Sequence, residues 1–288
     1  MGRLIRAISE NGGVLFCAVD ATDIVRKAEE YHKTSAVTTA ALGRLLTAGA
    51  MMGAMLKRED DSLTLRMKGD GPAGTVLVVA NGAGHVKGYV ANPVVELPLR
   101  PDGKLNVGAA VGHDGTLTVI KDMGLKEPYV GQIALVSGEV AEDITQYYAT
   151  SEQIPTVCAL GVLVAPDLSV LCAGGYLLQL LPGATEQEIT MLENNIAKMQ
   201  SVTDMLSQGM TLEDMMERAM EGFSPNVLDE GVASYVCDCS EERVERALLS
   251  LGKQELESLA QEEKEAEVCC QFCDKVRRFD IQALLKKL

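Results

Sequence analysis

Five of the eight cysteines in this 288-residue chain lie close together near its C-terminal end. Cys237 and Cys239 form a Cys-x-Cys pair, and Cys270 and Cys273 form a Cys-x-x-Cys pair. Two short-spaced pairs are an efficient ligand set for zinc, because each pair fixes two thiolates locally and the fold has only to bring the pairs together. The spacing therefore predicts one closed, tetrahedral Zn²⁺ site on these four sulfurs, with Cys269 left as a spare.

The same thiols can also carry redox chemistry. Both pairs are close enough in sequence to form internal disulfides, subject to disulfide geometry. Structural zinc supplies about 10–16 kcal/mol of apparent binding free energy, against about 5–15 kcal/mol for the stability of a whole domain. Oxidation would remove the ligands, so a small zinc-dependent unit would then lose its fold. A purely structural zinc site and a stability switch that responds to oxidants both remain open at this level.

The composition is that of a globular protein, with 47% hydrophobic and 23% charged residues. The net charge of −15 argues against a general nucleic-acid binder, which needs a basic face for phosphate. No apolar run is long enough for a signal peptide or a membrane span, so we expect no membrane association and a cytoplasmic location. In that compartment thiols are normally reduced, and clustered cysteines more often bind metal or respond to redox conditions than staple a fold.

The first 181 residues predict an α+β core with a sheet and packed helices. Residues 22–57 are rich in alanine and other helix formers, and residues 139–153 show a second helical pattern. Residues 62–138 contain short, often alternating runs separated by Gly, Asn, Asp and Pro, which predict strands. Two apolar runs on either side of residues 165–167 predict a hairpin of buried strands.

A helical region is predicted over residues 182–231, and a small cysteine-bearing unit over residues 232–288. The helical region contains two capping motifs followed by apolar residues at helical spacing, and seven of the thirteen methionines. Its last part, residues 222–231, has the composition of a connector. In the cysteine unit, Ser240 can begin a helix that Gly252 ends, and a second short helix should follow. These helices would return the chain so that the two cysteine pairs meet.

No catalytic constellation is evident elsewhere, so we do not expect an enzyme. The three histidines are far apart, and no nucleophile elbow, P-loop or zinc-protease motif occurs. A thiol-disulfide oxidoreductase is one rival interpretation, although its Cys-x-x-Cys would be expected near a βαβ pattern. A zinc-ribbon protein that binds nucleic acid or a regulator is the second rival, since the last residues are locally basic.

The joint pattern resembles the heat shock protein 33 family of redox-regulated bacterial chaperones. The resemblance is carried by the Cys-x-Cys, by the gap from Cys239 to Cys270, and by "VCCQFC" followed by "RRFD". In the core it is carried by "YHKTSAVTTAALGRLLTAGAMM", "GHVKGYVANP", "YYATSEQIPT" and "AGGYLLQLLPGA". The similarity covers the whole chain and is much more specific than any lone Cys-x-x-Cys.

The resemblance implies a chaperone that is inactive when reduced, with one Zn²⁺ on Cys237, Cys239, Cys270 and Cys273. Oxidation would form the disulfides Cys237–Cys239 and Cys270–Cys273, release the zinc and unfold the C-terminal unit. The active form would be a dimer that holds unfolding client proteins without ATP, and ATP-driven chaperones would receive those clients.

The resemblance also suggests a role for the methionine-rich helices as a metastable linker, packed when reduced and exposed when oxidised. Flexible methionine side chains suit promiscuous binding surfaces. The residues singled out as linker or client-binding positions are Met191, Met199, Met205, Met215 and Met216. One departure from the family pattern is Cys269, where we would expect a residue other than cysteine; the family's gap favours Cys270 as the ligand.

Overall fold

The computed structural model describes residues 1–288 and divides the chain into two compact units, Met1–Val236 and Cys237–Leu288. The first unit is a large sheet with helices packed on it, and the second is a small unit of three helices and a hairpin. This is the α+β architecture that the sequence predicts. No helix in the protein is both long and apolar enough to cross a lipid bilayer.

The sheet of the first unit has ten strands in the order β7-β6-β3-β4-β5-β10-β1-β2-β9-β8. Almost all neighbours are antiparallel; only β10 and β5 run parallel, over two residue pairs. The strands are β1 (Gly2–Ser9), β2 (Val14–Asp20), β3 (Ser62–Lys68), β4 (Thr75–Asn81), β5 (His85–Val90), β6 (Thr116–Asp122), β7 (Tyr129–Ala134), β8 (Thr156–Val164), β9 (Val170–Leu180) and β10 (Pro225–Tyr235). The predicted strands within residues 62–138 and the hairpin around residues 165–167 are both confirmed.

The predicted helical stretch at residues 22–57 forms two helices, α1 (Thr22–His32) and α2 (Ala36–Ala54). The chain breaks between them at Lys33, which adopts a left-handed conformation with φ 49°. Helix α2 is buried along nearly its whole length, and its small side chains let the sheet approach it closely. Two further helices, α3 (Val107–Val111) and α4 (Ala141–Tyr147), complete this side, and one π-helical turn follows α4.

The helical region contains α5 (Glu186–Ala197), α6 (Val202–Ser207) and α7 (Leu212–Ala219). Each helix begins at an N-cap residue. The side chains of Thr185, Ser201 and Thr211 accept hydrogen bonds from backbone N–H groups of the first turn. Their apolar faces form a second hydrophobic core with strands β1, β2 and β9. The methionine-rich face is therefore packed on the sheet in this structure.

The prediction of a connector at residues 222–231 is wrong from residue 225 onward, because β10 begins there. This strand pairs with β1 along almost its whole length and lies in the middle of the sheet. Its polar residues are accommodated by ion pairs, since Asp229 contacts Arg6 and Glu230 contacts Arg3. Pairing with a distant strand thus overrides the loop-like composition. The functional boundaries after residues 181 and 231 stay predictions.

The second unit contains α8 (Glu241–Leu249), α9 (Lys253–Glu262), the hairpin β11 (Glu265–Cys269) and β12 (Val276–Asp280), and α10 (Ile281–Leu285). Ser240 caps α8 as predicted, accepting a hydrogen bond from the Arg243 N–H at 3.1 Å. Its hydrophobic core is small, with four buried apolar side chains besides the buried Cys273: Leu256, Phe279, Ile281 and Leu284. A unit of this size with so few buried side chains needs additional cross-linking to be stable.

Candidate metal centre

The two cysteine pairs are presented by different local structures of the second unit. Cys237 and Cys239 lie in the segment that leads into α8. Cys270 and Cys273 lie in the turn that joins β11 to β12, where the Cys270 N–H donates to Lys275 O at 3.0 Å. Asp274 completes this turn with a φ of 53°. The hairpin was not predicted from the sequence, but it places the second pair at one tight corner.

The four sulfurs of the two pairs converge. Each of the Sγ atoms of Cys237, Cys239, Cys270 and Cys273 lies within 4.8 Å of the other three. The shortest distances cross between the pairs, with Cys237 Sγ 3.6 Å from Cys270 Sγ and Cys239 Sγ 3.4 Å from Cys273 Sγ. A tetrahedral zinc site with Zn–S bonds of about 2.3 Å requires sulfurs about 3.8 Å apart. The donor set, its number and its spacing therefore fit Zn²⁺.

The structure shows the reduced arrangement, since all eight cysteines are free thiols. A disulfide requires a sulfur–sulfur distance of about 2.05 Å, well below the distances in this cluster. No other group of three or more His, Cys, Asp and Glu side chains has its ligand atoms close enough together to hold a metal. The other three cysteines lie in the first unit, where Cys17 and Cys172 are buried and Cys158 is partly buried.

A single cation lies against the cluster. Arg277 Nη1 is 3.6 Å from Cys239 Sγ, and its Nη2 also donates to the Cys239 carbonyl. In the metal-free thiols, burial raises the pKa of Cys239, but hydrogen bonds from the other three sulfurs and the charge of Arg277 outweigh it and lower the pKa to about 7. Burial raises the pKa of both Cys237 and Cys273. The cluster thus contains one readily ionised thiol beside a positive charge.

Cys269 lies outside the cluster. It is the last residue of β11, it is exposed to solvent, and it is paired with Val276 across the hairpin. Some burial, and then the charges of Asp274, Cys270 and Glu267, raise the pKa of its thiol. Because side chains alternate along a strand, an adjacent pair of cysteines at its end points in different directions. This alternation explains why only Cys270 of the Cys-Cys dipeptide joins the other three sulfurs.

The methionines predicted as linker positions are all in the second hydrophobic core of the first unit. Met205, Met215 and Met216 are buried, whereas Met191 and Met199 are partly buried against them. The structure brings these five residues into one apolar cluster.

One histidine, His32, joins elements of the first unit. Its Nε2 lies 3.0 Å from Gly88 O and 3.3 Å from the Tyr235 hydroxyl. The Tyr235 hydroxyl itself donates to Gly88 O at 2.8 Å. These contacts tie α1, β5 and the end of β10 together, which is a structural role.

An α+β body followed by a small C-terminal unit, in which four convergent cysteines could hold a metal ion, defines the class of two-unit protein to which this chain belongs. Comparison with known proteins identifies the family. The family model described as Hsp33 protein matches residues 2–280. The chain belongs to the Hsp33 family.

Relatives and a solved structure agree along the whole chain. The 33 kDa chaperonin of Clostridioides difficile is 48% identical over 285 residues, which cover 99% of this chain and 98% of the relative. That of Lachnoclostridium phytofermentans is 49% identical over 281 residues, covering 98% and 96%. The crystal structure of the 33 kDa chaperonin of Thermotoga maritima, a heat shock protein 33 homolog, is 37% identical with a TM-score of 0.91, covering 99% and 98%. Membership of this family supports a chaperone role.

Proposed function

We propose that the protein is a redox-regulated holdase chaperone that is inactive when its four clustered cysteines are reduced and zinc-bound. Disulfides Cys237–Cys239 and Cys270–Cys273 would activate it. The observation that carries the proposal is the convergence of these four sulfurs within 4.8 Å in a unit whose hydrophobic core has only four buried side chains. Bound zinc would supply the cross-link that this unit otherwise lacks.

The thiol chemistry balances with a two-electron oxidant. Two thiolates of one pair lose two electrons to hydrogen peroxide and join as a disulfide, while the peroxide takes up two protons and leaves as two water molecules. Two equivalents of peroxide therefore oxidise both pairs. The Cys239 sulfur beside Arg277 is the natural first nucleophile, because a neighbouring cation favours the thiolate and the thiolate is the reactive form.

Disulfides within each pair compete with crossed disulfides, since the shortest sulfur distances join Cys237 to Cys270 and Cys239 to Cys273. Pairing within each sequence pair is favoured once the unit loosens, because the chain between those two cysteines is only one or two residues and loop closure then costs least. A crossed pairing would instead hold the two ends of the unit together. The expected pairing is therefore also the one that releases the fold.

Activation would require that loss of the second unit's fold loosens the helical region before it. Helices α5, α6 and α7 are short, between six and twelve residues, and depend on the sheet for most of their stability. Their release would uncover the apolar side chains of the second hydrophobic core, including the five methionines named above. Such a surface suits non-specific capture of unfolding client proteins.

The rival functions are less well supported. The Cys-x-x-Cys lies in a β-hairpin turn rather than at a helix N-terminus of a βαβ unit, which argues against a thioredoxin-like oxidoreductase. For nucleic-acid binding, the second unit has twelve acidic against nine basic residues. Arg243, Arg278 and Lys287 are moreover engaged in ion pairs with acidic side chains. The excess of acidic residues and these ion pairs disfavour binding of this unit to phosphate.

Disulfide mapping tests the switch. The full chain, loaded with zinc, is treated with peroxide under mild unfolding stress, and its peptides are analysed by mass spectrometry while released metal is followed with a chromogenic chelator. We expect both within-pair disulfides and about one zinc per chain, as one four-sulfur site requires. Cys269→Ser should give the same pattern. Crossed disulfides, or zinc retained after oxidation, would refute the proposal.

The remaining parts of the proposal concern partners and place of action. Unfolded client proteins would be the ligands, a homodimer the active form, and ATP-driven chaperones the acceptors of released clients. We propose a cytoplasmic location, in keeping with thiols that are reduced until stress occurs. No enzymatic step is involved.

A further inference from the structure

A groove runs along one outer edge of the large sheet, in the first unit. Its volume is about 480 Å³. One side is the second half of β8 with the turn after it, from Leu160 to Leu168. The rest is lined by the loop around Leu99 and Lys104, by Ala36 and Arg44 of α2, and by the first residues of α6. Leu99 and Leu168 are exposed large apolar side chains, with 58% and 43% of their surface accessible.

The strand in this groove has unpaired backbone groups. β8 is the last strand of the sheet and pairs only with β9. The Cys158 N–H donates to Thr145 Oγ1 at 3.2 Å and so faces away from β9. Because successive residues of a strand alternate in direction, the N–H and C=O groups of Leu160 and Val162 face outward as well. No part of the chain accepts from or donates to them, and an open edge of this kind is a template for another strand.

The charge of the groove differs from that of the protein. Its lining includes two cations, Arg44 and Lys104, and no carboxylate, although the chain carries a net charge of −15. Arg44 pairs with Glu139 at 2.6 Å through Nη1, but its Nε is buried without a hydrogen-bond partner. Lys104 makes no ion pair, so a segment with a carboxylate is attracted to this groove although the chain as a whole is acidic.

We propose that this groove binds an extended, aliphatic segment of an unfolded client protein, flanked by an acidic residue, which adds to the sheet as a strand beside β8. The inference rests on the proposed function and names where and how the client is held. Main-chain hydrogen bonds to Leu160 and Val162 give affinity for any sequence, and the apolar walls select aliphatic side chains. Few such bonds are available, so binding is weak and promiscuous, as a holdase needs.

Helix α6 restricts this groove in the reduced structure. Its first turn sits directly on β8: a Cβ at Gly161 would lie 2.9 Å from Thr203 Cγ2 and 3.0 Å from the Thr203 backbone N. Since α6 belongs to the region that loosens on oxidation, its departure exposes more of β8. The groove is thus narrow in the inactive form and open in the active one.

The test uses the oxidised full chain and a fluorescein-labelled synthetic peptide of alternating valine and threonine with one terminal aspartate. The double variant Leu99→Glu with Lys104→Glu alters the groove. Leu125→Glu with Lys126→Glu is the matched control, because Leu125 is similarly exposed, at 66%, and precedes an exposed lysine far along the sheet. We expect the groove variant to weaken binding about tenfold, as loss of one buried aliphatic contact and one charge pair does, and the control to leave it unchanged.

A second probe keeps the test decisive even if the groove variant folds poorly. The same peptide, N-methylated along its central residues, keeps its side chains and loses its N–H donors. Strand addition predicts that this probe binds wild-type oxidised protein at least about tenfold more weakly. The proposed binding mode is overturned if wild-type protein binds both peptides equally well. It is also overturned if the groove variant and the control variant lose the same affinity for the unmethylated peptide. If oxidised wild-type protein binds neither peptide and fails to suppress client aggregation, the proposed function itself is overturned. If the oxidised protein suppresses client aggregation but the groove variant binds the peptide as well as wild type does, only the binding site proposed here is overturned.

Discussion

Helix α6 packs closely on β8. This contact allows the link between helix docking and chaperone activity to be tested without changing a cysteine. Gly161 lies beneath the first turn of α6, where a Cβ would meet the side chain and backbone of Thr203 at 2.9 and 3.0 Å and Val202 Cβ at 3.1 Å. Two of these three atoms cannot move independently of the helix backbone. Gly161→Ala should therefore push the start of α6 away from the strand.

The size of the effect follows from overpacking. Forcing one methyl group into a filled site costs about 1–3 kcal/mol. A cost of about 2 kcal/mol raises the equilibrium constant for opening α6 about 30-fold. The zinc site lies in the other compact unit and should keep its metal. We therefore expect reduced, zinc-loaded Gly161→Ala to be partly active as a chaperone and to need less oxidant for full activity.

Hydrogen exchange measured by mass spectrometry reports the docking directly. Peptides covering α6 should exchange about 30-fold faster in Gly161→Ala than in wild type, under conditions where the helix recloses faster than its amides exchange. Gly231→Ala is the matched control, because it adds the same methyl group to a strand glycine where the nearest atom is 4.0 Å away. Unchanged exchange in α6, or equally fast exchange in both variants, would refute the packing argument. Fast exchange without any gain of activity would refute the link between α6 and function.

Three further changes test other parts of the structure. Cys270→Ser should abolish tight zinc binding because three sulfurs remain, whereas Cys269→Ser should keep it; metal analysis after dialysis distinguishes them. Asn195→Ala removes the buried donor to two carbonyls after α7 and should lower the free energy of unfolding by about 1–3 kcal/mol in urea titrations. Asp214 has a lowered pKa because it accepts hydrogen bonds from the Thr211 backbone and side chain. Its contribution to the stability of α7 is therefore present above about pH 4, and it is lost as the pH falls through the lowered pKa. Asp214→Asn should flatten that acid dependence in α7, measured by amide exchange between pH 2 and 6, and an unchanged profile would contradict this assignment.

Patterns confined to a short stretch of sequence predicted the structure well. The two cysteine pairs have their own spacing, and their four sulfurs do converge. The caps at Thr185 and Ser240 depend on residues three positions away, and both are formed. The apolar runs on either side of residues 165–167 carry enough hydrophobic surface to require burial, and they form the β8–β9 hairpin.

Features that depend on distant partners were not predictable in the same way. Residues 225–231 look like a connector because Asn, Asp, Glu and Gly disfavour strands, yet β1 supplies both a ladder and two arginines for the acidic side chains. Residues 265–269, three of which are glutamate or alanine residues that do not favour strands, form β11 because β12 pairs with them. The crossed arrangement of the nearest sulfurs likewise follows from how the hairpin meets the segment before α8, which no local spacing encodes.

The central claim is that oxidation of the cysteine cluster converts an inactive chaperone into an active one. It is tested most directly by light scattering of a chemically denatured client diluted into reduced, zinc-loaded protein or into the same protein after peroxide treatment. We expect suppression of aggregation only by the oxidised protein, and restoration of the inactive state by a reductant and zinc. Equal suppression by both forms would contradict it.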